Sequence, residues 1–212
     1  VIRLSPDLRR QSIVDATLAV ARRQGFAAAT ARDVAAELGC SSGLIHHYFR
    51  SMDELVAVAF EQAAQHDLAR TSEIIEGCTK PDDRIAAYLA SYGRVDDDGA
   101  FQLWLDAWAE AARRPALGAT SQRLNVAWQE LLAGIITDGV AAGGFRCDDP
   151  HASAWRILSL LDGLALQAVA HRDLLDRSVI VQWSAIVAER ELGLRAGRIA
   201  GRLGVVPAQV PA

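Results

Sequence analysis

The chain has 212 residues, 51% of them hydrophobic, which is enough to bury the core of one or two domains. Cys40, Cys78 and Cys147 are odd in number and far apart, and no CxxC pair or His/Cys cluster has metal-ligand spacing, so a disulfide framework and a metal site are both unexpected. The net charge of −4 is unevenly spread: residues 1–50 hold seven arginines against four acids, +3, so the remainder carries −7, and a polyanion binder at one end only is expected.

The elements read as helices throughout. The first is predicted over Leu8–Gln24, with Ile13, Ala16, Thr17, Val20 and Ala21 on one face and Gly25 as its stop. Thr30 caps a second helix with Asp33 in its first turn; it runs through Val34, Ala35 and Leu38 to Gly39. Ser41 caps a very short third helix ending near Tyr48. Ser51 and Glu54 form a capping box for a fourth, which reaches about Glu76 before Gly77.

Further on, helices are predicted from Lys80-Pro81-Asp82 to about Arg94, from Phe101 to Arg114, and from Pro115 to Ala142 ahead of Gly143-Gly144. An acidic loop, Asp96-Asp97-Asp98-Gly99, separates the first two of these. Asp149-Pro150 opens a helix to about Arg172, and the last spans Arg177–Leu192. No strand alternation and no internal repeat occurs, so the expected fold is all-α, with roughly nine helices. The expected domains are 1–52, 53–195 and a flexible tail, 196–212, broken by Pro207 and Pro211. The polar start with Pro6 is unlike a signal peptide, and acids such as Asp106, Glu110 and Asp162 interrupt the most apolar stretches, so a soluble cytoplasmic protein without a membrane span is expected.

The stretch Thr30–Phe49 carries the most chemistry. Two short helices meet at Leu38-Gly39-Cys40, where the chain needs a left-handed residue. Val34, Ala35, Leu38, Ile45 and Phe49 face inward, and small Ala35 allows close approach. This is the layout of a helix-turn-helix, whose second helix enters the major groove of double-stranded DNA. Ser41, Ser42 and Gly43 would lead that helix toward bases and phosphates. Leu44 and His47 would read base edges or thymine methyls. His46, Tyr48 and Arg50, with Thr30 and Arg32 from the preceding helix, would hold phosphates and set register. Each residue alone also fits any small helical bundle; the ordered combination is what points to DNA.

Residues 9–55 resemble the DNA-binding domain of the TetR family. The resemblance rests on Ile13 and Ala16, Gly25-Phe26, Thr30 with Asp33-Val34-Ala35, Gly39-Cys40-Ser41-x-Gly43, Tyr48-Phe49 and Ser51-x-x-x-Leu55. His46 stands where the family often has tyrosine, and Met52 where it usually has a phosphate-contacting lysine. Residues 80–192 are similar to the C-terminal domain of BetI-type repressors through Trp104-x-x-x-Trp108-Ala-Glu110, Arg114-Pro115-x-Leu117, Trp128-x-x-Leu131 and Leu161-Asp162-Gly163-Leu164-x-Leu166-Gln167. The resemblance implies a repressor that leaves a palindromic operator when a small organic effector binds, with no cofactor.

Physical reading of the second half adds two expectations. The last two helices are apolar on nearly all sides, which implies cover by a second copy; Leu160, Leu164, Gln167, Ile180, Trp183 and Val187 are the expected homodimer interface. Trp104 and Trp108 share a helix face, and with Trp128, Trp155, Tyr88 and Asp162 they are the candidate effector site, suited to a cationic or aromatic ligand. The tryptophans read equally as core filling, and Asp162 reads as a structural acid ahead of a ligand anchor. No phosphate loop, nucleophile elbow, di-metal pair or HExxH is present, so an enzyme is not expected. The alternative to a regulator is a helical protein-interaction module without effector sensing.

Overall fold

The structure is a computed structural model that describes residues 5–93, 98–171, 175 and 177–204. The described residues form nine α-helices and no strand: α1 (Pro6–Ala28), α2 (Ala31–Leu38), α3 (Ser42–Tyr48), α4 (Met52–Glu76), α5 (Pro81–Ser91), α6 (Asp98–Glu110), α7 (Pro115–Ala141), α8 (Pro150–Ala170) and α9 (Arg177–Glu191). They divide into two compact units, residues 1–67 with 99–125, and residues 68–98 with 126–212. Along the chain, α4 and α7 each begin in the first unit and end in the second.

Local chemistry explains the helix ends of the first unit. Ser5 Oγ accepts from the Leu8 N–H at 3.3 Å and Pro6 fills the first helical position, so α1 starts two residues before the expected Leu8. Gly25 interrupts it at φ 79°, ψ 163°, a conformation open essentially to glycine alone, and one more turn follows to Ala28. The Thr30 hydroxyl accepts from Asp33 N–H while the Asp33 carboxylate accepts from Thr30 N–H, closing a full capping box. Gly39 takes the left-handed conformation, φ 64°, and the Cys40 N–H returns to the Ala35 carbonyl at 2.9 Å.

Two caps differ from expectation. Ser41 has N-cap backbone geometry, but its hydroxyl makes no cap bond. The Ser51 hydroxyl does accept from Glu54 N–H at 3.1 Å, yet the Glu54 carboxylate turns to the Arg50 N–H, one residue before the expected partner. The core of this unit gathers Ile13, Val20, Phe26, Val34, Ile45, Leu55, Phe60, Leu103 and Leu117, all essentially excluded from water.

In the second unit α8 and α9 pack on each other, and α9 also meets α5. Asp149 caps α8 by accepting from the Ala152 N–H at 2.9 Å. Asp96 and Asp97 of the expected acidic loop lie outside the described residues, while Asp98 and Gly99 already belong to α6. Residues 196–204, expected in the tail, are tied to the second unit. Beyond α9 a 3-10 turn spans Ala200–Arg202, with Ile199 fully buried. The buried Glu189 carboxylate accepts from the N–H groups of Gly197, Ile199 and Ala200 at 2.7–3.0 Å. Arg198 grips Asp82 at 2.9 and 3.0 Å, and Arg202 grips Asp83 at 2.6 Å. A satisfied buried carboxylate and an apolar plug hold this segment despite its glycines. Residues 205–212 lie outside the described part.

Candidate functional site

The head carries its polar residues outward. Val34, Ala35, Ile45 and Phe49 lock α2 onto α3 from the buried side. Thr30, Arg32, Ser41, Ser42, Gly43, His46, His47 and Arg50 are exposed, and Leu44 and Tyr48 are half-buried. Only Ser41 Oγ, at 3.8 Å, would meet a Cβ at Gly43, so the backbone at the start of α3 stands open. His47 and Tyr48 stack edge to face at 5.2 Å. The Arg10 guanidinium lies 4.6 Å above the Phe49 ring, pinning the end of α3 to the start of α1.

Electrostatics sharpens this face. Among the acids near it, Glu37 is paired with Arg23 at 2.7 Å. The Thr30 hydroxyl and N–H hold the Asp33 carboxyl below its ordinary range, so it stays engaged as a cap. Arg32 and Arg50 form no ion pair among the described residues, which leaves their charge for an incoming anion.

The residues expected to hold an effector are drawn from both units. Trp104 and Trp108 belong to the first unit, 5.6 Å apart, with Phe60 edge-on to Trp104 at 4.9 Å and Phe101 edge-on to Trp108 at 6.2 Å. Tyr88, Trp128 and Asp162 belong to the second unit and come together there with Tyr92. The Tyr88 hydroxyl, fully buried, donates to the Trp128 carbonyl at 3.1 Å, and both tyrosine rings meet the Trp128 ring edge-on, at 5.8 and 6.4 Å. The Tyr92 hydroxyl donates to Asp162 Oδ1 at 2.9 Å. Burial pushes the Asp162 carboxyl up to about 6, against the opposing pull of that bond. Burial and the neighbouring acid raise both tyrosine hydroxyls well above their usual value. Trp128 Nε1–H is buried without an acceptor, and Asp162 has no cation partner among the described residues.

Trp155, expected at the effector site, is 40% exposed on α8. Two expected interface residues are buried within the protomer, Ile180 at 2% and Leu164 at 9% exposure. Leu160, Trp183 and Val187 are half-buried and Gln167 is exposed. The open apolar residues of this pair are instead Trp155, Leu166 at 43% and Ile186 at 38% exposure. Helical periodicity puts Leu166 and Ile186 on an apolar helix but does not say which side the neighbouring helix takes.

Comparison with known proteins decides the family. The profile for bacterial regulatory proteins of the tetR family matches residues 13–59, and that for the C-terminal domain of BetI-type transcriptional repressors matches residues 81–193. The chain belongs to the TetR family. It is a TetR-type, helix-turn-helix transcriptional regulator with a BetI-type C-terminal region, and not an enzyme. The HTH-type transcriptional regulator BetI of Cronobacter sakazakii is 29% identical over 173 residues, covering 76% of this chain and 79% of the relative. A transcriptional regulator from Pseudomonas aeruginosa superposes with a TM-score of 0.78 at 25% identity, over 92% of this chain and 95% of that one. A regulator from Saccharomonospora viridis, solved in complex with choline, shares the fold of this TetR-family chain with a TM-score of 0.77 at 21% identity, over 84% and 94%. No helix among the described residues is long and apolar enough to cross a membrane.

Proposed function

We propose that this TetR-family chain is a homodimeric repressor that grips a palindromic operator through α3 and is released by a small organic cation. The observation that carries the reading is the division of the helix-turn-helix: Val34, Ala35, Ile45 and Phe49 are buried, while Arg32, Arg50, both histidines and the serine-led start of α3 are exposed, and neither arginine forms an ion pair among the described residues. Phosphate contacts from Thr30, Arg32, His46, Tyr48 and Arg50 would set register, and Ser42, Leu44 and His47 would read bases. A second copy would cover Trp155, Leu166, Gln167, Trp183, Ile186 and Val187.

The effector reading rests on the cluster in the second unit. Tyr88, Tyr92 and Trp128 supply aromatic faces, Asp162 supplies an acid without a cation, and the Trp128 N–H lacks an acceptor. That set suits a cation flanked by a hydrogen-bond acceptor, and choline, held by the S. viridis regulator, belongs to that chemistry. Trp104 and Trp108 are read as packing around Phe60 and Phe101. Binding needs to favour the DNA-free state by only 1–3 kcal/mol to lower operator affinity about 5- to 150-fold.

The test is selection of duplexes by the full chain from a random library, followed by anisotropy titrations with a panel of quaternary ammonium compounds. A palindrome should be enriched, its affinity should fall steeply with salt, and a member of the panel should weaken it and change tryptophan fluorescence. Enrichment of no duplex would overturn the reading in favour of an interaction module. Enrichment with no response to any cation would overturn the effector half alone.

A further inference from the structure

The break that ends α1 is held by residues some eighty positions further along the chain. A Cβ at Gly25 would lie 3.2 Å from Asp106 Oδ2, so α6 passes against this glycine. The carbonyl of Phe26 accepts from Arg114 Nη2 at 3.2 Å, and Arg114 is itself steadied by Glu110 at 3.4 Å. The Phe26 ring is fully buried, edge-on to Phe60 at 6.2 Å. Close by in sequence, Asp53 sits in the first turn of α4, directly after the helix-turn-helix. Its carboxylate accepts from the Ala116 N–H at 3.0 Å and the Leu117 N–H at 3.3 Å. Pro115 has no N–H, so these are the first amide donors of α7, and Asp53 is its N-terminal cap across more than sixty residues.

The three head helices bury Ile13, Val20, Val34 and Ile45, apolar residues that take no part in these polar bonds. What the bonds add is direction. A carboxylate received by two amides and a guanidinium aimed at one carbonyl fix angles that apolar contact leaves free to slide. We infer that Asp53 and Arg114 are positioning residues for operator binding, holding the helix-turn-helix in one pose against α6 and the start of α7. The inference rests on the reading above of a homodimer on a palindrome. There the pose of each head decides whether both recognition helices reach their half-sites at once, and two linked heads gain affinity only where geometry lets both engage.

The experiment uses the full chain and the palindrome that the wild type enriches. Affinity is measured for that palindrome, for a single half-site, and for palindromes lengthened or shortened by one base pair, alongside Tm. Asp53→Ala should weaken the palindrome about tenfold or more, leave the half-site within about twofold, and shrink the penalty for wrong spacing. Asp53→Asn, which keeps one acceptor oxygen for α7, should restore most of the loss. Arg114→Gln should give the same pattern with a smaller loss, and it carries the test if Asp53→Ala fails to fold. Variants that match the wild type on every duplex overturn the inference. So do variants that lose palindrome and half-site affinity equally and in step with Tm, which would make the contacts purely structural. A wild type that enriches no palindrome overturns the underlying reading instead.

Discussion

The helix-turn-helix and the α8–α9 pair use apolar residues in opposite ways. In the segment Thr30–Arg50 the large apolar residues point inward, Leu44 partly so, and the face left to solvent is built from serine, histidine and arginine. In α8–α9 the protomer buries Ile157, Leu161, Leu164, Ile180, Ala185 and Ala188, and still leaves Trp155, Leu166 and Ile186 exposed. The first surface is complete without a partner and offers charge. The second leaves large apolar residues that the described chain does not cover, and such exposure is a feature of association surfaces. On the proposed reading the contrast separates two partners by chemistry: a polyanion for one, a second copy for the other.

The sharpest way to break that contrast is at α8–α9. Leu166→Arg with Ile186→Arg should convert the species in sedimentation from twice the chain mass to the chain mass, with helical content retained because both residues are already exposed. Palindrome affinity should fall by about a hundredfold or more, the bivalent gain that two linked heads supply. An unchanged dimer would remove this surface from the interface. Leu164→Glu is a poorer test, since that residue is buried within the protomer and its change would damage the fold first.

Changes on the head should be milder and of two kinds. Arg32→Ala should weaken all duplexes alike by up to about tenfold and lower the salt slope by about one. His47→Ala should instead cost about 1–3 kcal/mol at particular base pairs and leave the slope nearly unchanged. Uniform loss from both would mean that His47 touches phosphate and that base reading lies elsewhere on α3.

The head was legible because its signals are local. Thr30 and Asp33 are three residues apart, Gly39 announces a left-handed turn, and Ser51 with Glu54 starts α4, all within single turns of chain. Gly25 was legible as a stop but not as the place where Asp106 approaches. Asp53 carried no signal, because a cap on a helix more than sixty residues away leaves no trace in spacing. In the second half, period alone could say that Trp155, Leu164 and Ile180 lie on apolar helices. Which of them faces the neighbouring helix is a matter of rotation, set by the packing of α8 on α9. Glu189 and the turn through Ile199 were hidden for the same reason: the buried carboxylate and the amides it satisfies meet only after the chain reverses.

The last expected effect bears on the aromatic cluster, and its sign separates site from core. The Asp162 carboxyl titrates near 6 in the folded chain against an ordinary 3.8, chiefly because burial penalises its charge. The folded state therefore keeps a proton that the unfolded chain has shed. The stability owed to that neutral acid is fully present below the ordinary value and is lost as pH rises through about 6. Tyr88 and Tyr92 stay protonated across this window, so within the cluster the change belongs to Asp162. At pH 7.5 the buried charge costs up to roughly 3 kcal/mol. Asp162→Asn keeps an acceptor for the Tyr92 hydroxyl and removes the charge. Its Tm should exceed the wild type's at pH 7.5 by about 2–4 °C per kcal/mol regained, and the gain should vanish as the pH falls toward 4. The same variant should lose its response to a cationic effector, because the anion that balanced the ligand is gone. A more stable protein deaf to its effector is the signature of an acid kept at a stability cost for binding. A variant less stable at pH 7.5 and still responsive would make Asp162 a structural acid, and the effector site would then have to be sought away from Tyr92 and Trp128.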